Sequence, residues 1–112
     1  MRCACIDIGS NTTRLLVAER ADGGLREIVA RRMFLPLAPA ADGAIPPETI
    51  AVLATVVAAH AATARAHGAR RLRAVATAAI RTAPNRDALC AAVAREAGVP
   101  PGRTRSSARR GR

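Results

Sequence analysis

The sequence predicts an α/β layer fold built on a mixed sheet, and three observations carry that prediction. Two apolar runs flank a short polar turn near the N-terminus, and a third strand-like run follows them. A long stretch with apolar residues at spacings of three and four then reads as an amphipathic helix. A short strand and a second helix come after it, which gives the order βββαβα and a sheet with helices packed on it.

Each element has its own local reason. Residues 2–8 and 13–19 read as strands joined by the turn Gly9-Ser10-Asn11-Thr12. Asp22-Gly23-Gly24 is a second turn signal, and Leu25 to Leu35 supplies a third strand that bends or ends near Pro36. Tight turns between three consecutive strands make an antiparallel meander. Pro36, Pro39, Asp42 and Gly43 mark an irregular connection. Ile45-Pro46-Pro47-Glu48 opens a helix, with proline in the first turn where its missing N–H costs nothing. Ile50, Leu53, Val57, Ala61 and Ala64 form its apolar stripe, which runs to about His67 and stops at Gly68 as a left-handed cap. Arg71 to Ala76 is a strand, and Thr77 to Thr82 a turn or single helical twist. The second helix starts at Pro84-Asn85, with Asn85 as N-cap and Asp87 in the first turn. Leu89, Ala92, Val93 and Ala97 form its apolar face, and Gly98 ends it. Val99 looks like the start of a further strand. Residues 100–112 carry no apolar periodicity, and such an Arg-rich tail is expected to be disordered, leaving residues 1–99 as the domain.

At 112 residues the chain has room for one domain of ordinary size. Phe34 is its only aromatic residue, so the core must be built from Ala, Val, Leu and Ile. All 18 basic residues are arginine, which codon usage in a GC-rich genome explains without a functional need for guanidinium. The net charge of +10 suggests nucleic acid until it is divided along the chain. Arg103, Arg105, Arg109, Arg110 and Arg112 supply much of it, and no aromatics are interleaved there for base stacking, so nucleic acid is an unlikely partner. No apolar run approaches the roughly 20 residues needed to cross a bilayer. The first strand is interrupted by Asp7, unlike a signal peptide, so the cytoplasm is the expected location. Cys3, Cys5 and Cys90 are expected to be reduced and buried, as small hydrophobes. Cys3 and Cys5 share one face of a strand, but no second pair or histidine completes a metal site. His60 and His67 fall on the long helix and read as surface or partly buried residues.

The most informative stretch is Ile6-Asp7-Ile8-Gly9-Ser10-Asn11-Thr12. It sets one carboxylate at the end of a strand beside a row of turn N–H groups and hydroxyls. Ordinary hairpin turns use the same residue types. The arrangement also suits a phosphate and its magnesium ion, because turn amides attract anions and hard cations take oxygen ligands.

Asp7-Ile8-Gly9-Ser10-Asn11-Thr12-Thr13-Arg14-Leu15-Leu16 resembles the opening loop of the exopolyphosphatase and guanosine pentaphosphate phosphohydrolase (Ppx/GppA) family. Val75-Ala76-Thr77-Ala78-Ala79-Ile80-Arg81, followed by Pro84-Asn85-Arg86, is similar to that family's second N-terminal landmark. The resemblance covers residues 1 to about 99. It implies a ribonuclease H-like half-domain of the actin, sugar-kinase and chaperone ATPase superfamily, incomplete at its C-terminus. It also implies hydrolysis of terminal phosphoanhydride bonds in polyphosphate or guanosine pentaphosphate, with a divalent metal such as magnesium (Mg2+). On this chain Asp7 would hold the metal. Gly9, Ser10, Asn11 and Thr12 would grip phosphate oxygens, and Arg81 and Arg14 would add guanidinium contacts.

The chain departs from the family pattern after Gly98. A Gly-Glu-Glu-Glu-Ala-type motif, whose glutamate is thought to orient or deprotonate the attacking water, is missing, as is a second glycine-rich phosphate loop. A frame change or truncation in a family gene would account for this. The expectation is therefore a phosphate- and magnesium-binding fragment, inactive alone and prone to self-association through an uncovered edge or face. A polyanion- or nucleic-acid-binding module using the basic tail, or the ATP-binding half-site of a kinase-like protein, are the alternatives.

Overall fold

The computed structural model describes residues 1–99 and 101–103. Strand β1 (Arg2–Ile8) is the centre of the sheet. It pairs antiparallel with β2 (Thr12–Ala21), which pairs antiparallel with β3 (Gly24–Phe34), so the expected meander is present. Helix α1 (Pro47–Ala66) carries the chain back across the sheet to β4 (Ala69–Ala76), which lies parallel to β1. A single turn, α2 (Ala78–Arg81), precedes α3 (Arg86–Ala97). The last described strand, β5 (Pro101–Arg103), adds parallel to β4 and completes the order β3-β2-β1-β4-β5.

Strand alternation decides which side chains enter the core. Ala4, Ile6 and Ile8 of β1, Thr13, Leu15 and Val17 of β2, and Ala74 and Ala76 of β4 all point to one face and are buried. Helix α1 covers that face with Ile50, Leu53, Ala54, Val57, His60, Ala61 and Ala64, and α3 adds Leu89, Ala92, Val93 and Ala97. The opposite face carries no helix among the described residues. Both helices stop where glycine permits a left-handed turn, at Gly68 (φ 83°) and Gly98 (φ 76°). The far end of the sheet is tied by Arg2. Its guanidinium donates to the His67 carbonyl (2.8 Å) and pairs with Glu19 (2.9 Å), which Arg26 also grips. These two guanidinium hydrogen bonds hold the Glu19 carboxyl below the usual carboxylate range.

Three expectations need correcting. Residues 101–103 do not belong to a disordered tail: β4 presents an open edge, and strand pairing there uses backbone groups without requiring apolar side chains. Residues 100 and 104–112 lie outside the described residues. Second, Asn85 occupies the N-cap position of α3 but makes no side-chain cap bond. Its amide instead bridges Ile45, accepting from the Ile45 N–H (3.0 Å) and donating to the Ile45 carbonyl (2.7 Å). Third, α1 is long and apolar enough by length and composition to cross a bilayer, although no unbroken apolar run suggested it. Alanine between the larger residues raises its apolar content, and the stripe that packs on the sheet is what a core helix requires.

Candidate functional site

In open α/β sheets, ligands bind outside the carboxyl ends of parallel strands, at the point where the strand order reverses. Here that point lies between β1 and β4, since the chain runs from β1 to β2 and β3 on one side and reaches β4 and β5 on the other. Three segments meet at this end. The β1–β2 turn closes on itself, the Gly9 N–H donating to the Thr12 carbonyl (3.0 Å). The segment after β3 holds it from one side, Leu35 and Leu37 donating to the carbonyls of Asn11 (2.7 Å) and Ser10 (2.9 Å). From the other side the Thr77 N–H donates to the Ile8 carbonyl (3.2 Å). Ala38, next to this clamp, stands at φ 45°, a left-handed conformation that an L-residue adopts only under constraint.

The clamp takes the carbonyls of the turn and leaves its donors. Among the described residues no hydrogen bond uses the amide N–H of Ser10 or Asn11, and both side chains are exposed. Consecutive turn amides with no internal acceptor form a concavity suited to an anion. Gly9 is required for the closure, because a Cβ there would stand 2.8 Å from the Thr12 carbonyl oxygen.

Asp7 precedes this turn on the helix-free face of the sheet, exposed, and makes no hydrogen bond or ion pair among the described residues. Cross-strand register places Arg14 directly opposite Asp7, and Arg32 opposite Arg14. The three form one row on that face. Sequence reasoning missed Arg32, because its place in the row depends on the hairpin register and on a bulge near Val17 and Ala18. No group of three metal-ligating side chains exists among the described residues. A single free carboxylate still fits magnesium, which keeps several waters and takes its remaining ligands from substrate phosphates.

Arg81 stands apart from the loop. It ends α2, one helical turn beyond Thr77, its N–H bonded to the Thr77 carbonyl (3.0 Å). It lines a cavity of about 390 Å³ with Ala76, Ile80, Arg86, Cys90, Pro101 and Gly102, none of them from the turn. Arg86 donates to the Arg81 carbonyl (2.7 Å), so a second guanidinium is fixed beside it. In the sequence Arg86 is only part of the landmark Pro84-Asn85-Arg86; its place here follows from α3 starting directly behind α2. The cysteines are less buried than expected, Cys3 being exposed and Cys5 and Cys90 half-buried at the sheet surface and on α3; partial burial pushes the Cys90 thiol up, and Asp87 adds to the shift against Arg86.

Beneath the site lie buried polar atoms. Thr13 Oγ1 and Thr77 Oγ1, from the two landmarks, and His60 Nε2, which no motif suggested, are enclosed without a hydrogen-bond partner among the described residues. His60, read from sequence as surface or partly buried, is only 7% exposed, because it falls in the stripe of α1 that meets the sheet. Burial lowers its pKa, opposed in part by a hydrogen bond with the Thr13 backbone.

Comparison with known proteins bears on the family and the fold. Residues 16–100 match the model of the Ppx/GppA phosphatase family. The chain belongs to that family. It is 38% identical over 103 residues to an uncharacterised protein of Streptomyces coelicolor, covering 89% of this chain and 30% of that one. Among solved structures it is similar to a Ppx/GppA phosphatase of Aquifex aeolicus in its type II variant, at 32% identity and a TM-score of 0.85, covering 93% of this chain and 35% of the other. An exopolyphosphatase from Cytophaga hutchinsonii shares the fold at 20% identity and a TM-score of 0.85, with 92% and 34% covered. This Ppx/GppA chain thus spans about a third of the length of the relatives it matches. Its sheet is the actin-like ATPase half-fold that the two landmarks implied.

Proposed function

We propose that this chain forms one jaw of an exopolyphosphatase-type site, holding the terminal phosphates of polyphosphate or of a guanosine polyphosphate with a magnesium ion. The observation that carries this reading is the β1–β2 turn, where among the described residues the Ser10 and Asn11 amides have no internal acceptor and Asp7 beside them has no cation partner. In this reading the Ser10 and Asn11 amides receive a phosphate oxygen, and the hydroxyls of Ser10 and Thr12 complete the cradle. Asp7 positions the hydrated cation, which when bound neutralises charge on the phosphate oxygens. Arg14 steadies the far side of the same row, and the Arg81–Arg86 cavity receives phosphate farther along the chain.

The test is an NMR titration of the full chain with medium-length polyphosphate in magnesium buffer. Amide shifts should centre on residues 9–12, and Asp7→Asn should remove their magnesium dependence while the phosphate-induced shifts persist in weaker form. A titration that leaves those amides unmoved rejects the site.

A further inference from the structure

The β1–β2 turn has a buried histidine beneath it. Helix α1 runs away from the loop end of the sheet, since the His67 carbonyl just past its last turn meets Arg2 at the far end. Helical side chains tilt toward the helix N-terminus, so His60 leans back toward the turn. Its imidazole hydrogen-bonds the backbone of Thr13, the residue that follows the turn. Two enclosed atoms without a partner among the described residues, His60 Nε2 and Thr13 Oγ1, belong to this one pair.

Among the described residues no charged group faces the imidazole. Asp7, Arg14, Arg71 and Arg73 alternate to the opposite face of the sheet. On the helix side, Arg2 and Glu19 pair with each other at the far end, and Arg26 shares that carboxylate. Arg31 is exposed on the edge strand β3, and Arg70 at the irregular start of β4. The charges of α3 (Arg86, Asp87, Arg95, Glu96) and of α1 itself (Glu48, Arg65) are exposed, and Cys90 lines the Arg81 cavity. Burial and the Thr13 backbone are the only influences on the His60 imidazole.

We propose that His60 couples the phosphate turn to pH: an anion seated on the Ser10 and Asn11 amides draws a proton from solvent onto the imidazole, and polyphosphate accordingly binds more tightly as the medium becomes acidic. This rests on the reading of the turn as a phosphate site. The buried imidazole lacks a counter-charge, and phosphate on the turn supplies one. Two residues of chain separate Thr13 from Asn11, at most about 7 Å. A hydrogen bond of about 3 Å at each end brings a phosphate oxygen within about 13 Å of the imidazole. At that distance and an effective dielectric constant of about 20, one net negative charge favours imidazolium about tenfold at low ionic strength. The added proton goes to the ring nitrogen that is bare in the neutral form, and Thr13 Oγ1 is an uncommitted acceptor on the residue the ring already touches. Linkage is reciprocal, so protonation raises anion affinity by the same factor of about ten. His60 itself touches no phosphate; it acts through Thr13 and through its charge.

The experiment follows the imidazole resonances of the full chain by NMR as pH falls from 7 toward 5, with and without medium-length polyphosphate in low-salt magnesium buffer. His60 and His67 are the only histidines, so each response is read separately. Polyphosphate should move the His60 titration midpoint upward, while the His67 resonances at the opposite end of α1 should not respond. Calorimetry near pH 6 in two buffers of different ionisation enthalpy should register proton uptake on binding. The affinity of the parent relative to His60→Gln should rise toward about tenfold as pH falls below 6.5. That ratio cancels protonation of the terminal phosphates, whose second pKa is about 6. The midpoint measurement needs no variant, so it stands even if His60→Gln folds poorly. A His60 midpoint that stays fixed while the amides of residues 9–12 shift overturns this inference and leaves the phosphate site standing. Unmoved amides at 9–12 reject the site and this inference together. An equal response from His67 would indicate diffuse binding by the arginines and would also overturn it.

Discussion

At the scale of single residues, the floor of the site is where burial and polarity conflict. His60 gives up hydration on entering the core, and its Nε2 finds no partner. Its pKa in the fold is therefore depressed, the bond with the Thr13 backbone offsetting only part of the effect. In the unfolded chain the same imidazole returns to its ordinary value of 6.5. Between the depressed value and 6.5 the unfolded state binds more protons, so stability rises with pH across that window and is fully present above it. Lowering the pH from 7 toward 5 should reduce the melting temperature, and His60→Gln should flatten that dependence. Glu19 does not confound the measurement, because its depressed pKa costs stability only as pH falls below the ordinary carboxylate value of 4.5. A wild-type melting temperature constant between pH 7 and 5 would refute the assignment. Nothing in the sequence marked His60, since a histidine in an alanine-rich stripe becomes a core residue only when the helix rotation is known.

At the scale of elements, Asn85 joins two segments that the sequence separates by 40 residues. Its two bonds to Ile45 fix the entry to α1 against the start of α3. Ile45 is buried, so Asn85→Ala would strand its N–H and carbonyl at a cost of about 1–3 kcal/mol. Chemical denaturation should report that loss, and Asn85→Asp, which retains an acceptor and loses the donor, should recover part of it. The elements themselves were largely legible. Proline at the start of α1, glycine after each long helix and the Gly-Gly turn before β3 act locally, so their signals survive without tertiary information. Asn85 misled because a cap and a tertiary bridge use the same amide, and only the neighbouring backbone decides which it makes. Strand β5 was hidden for a related reason: three residues with proline and glycine carry no periodicity, and their pairing depends on the open edge of β4. The loop from Asp7 to Thr12 was legible as a unit, whereas the row Asp7–Arg14–Arg32 exists only across strands.

At the scale of the whole molecule, the sheet manages one edge and leaves one face bare. The long edge strand β3 carries Arg26, Arg31 and Arg32 and a bulge, features that discourage edge pairing with another copy. A span of about a third of the relatives' length bears on catalysis. In-line phosphoryl transfer needs the phosphate gripped from both sides and a group that orients the attacking water. In the proposed reading the turn and Asp7 supply donors and a cation ligand from one side. Several of the other acids are committed elsewhere: Glu19 is paired at the opposite end of the sheet, and Asp42 accepts from the Ala44 N–H within its own turn. Glu48 and Asp87 sit in the first turns of α1 and α3, where they favour the helix dipoles. These 112 residues should consequently bind polyphosphate with magnesium and release no orthophosphate from it. The measurement pairs a phosphate-release assay with calorimetric binding on the same preparation, so that lost binding is not mistaken for lost chemistry. Binding without turnover is the expected outcome. Turnover that disappears in Asp7→Asn would show that one jaw suffices, and the requirement for a second gripping surface would have to be abandoned.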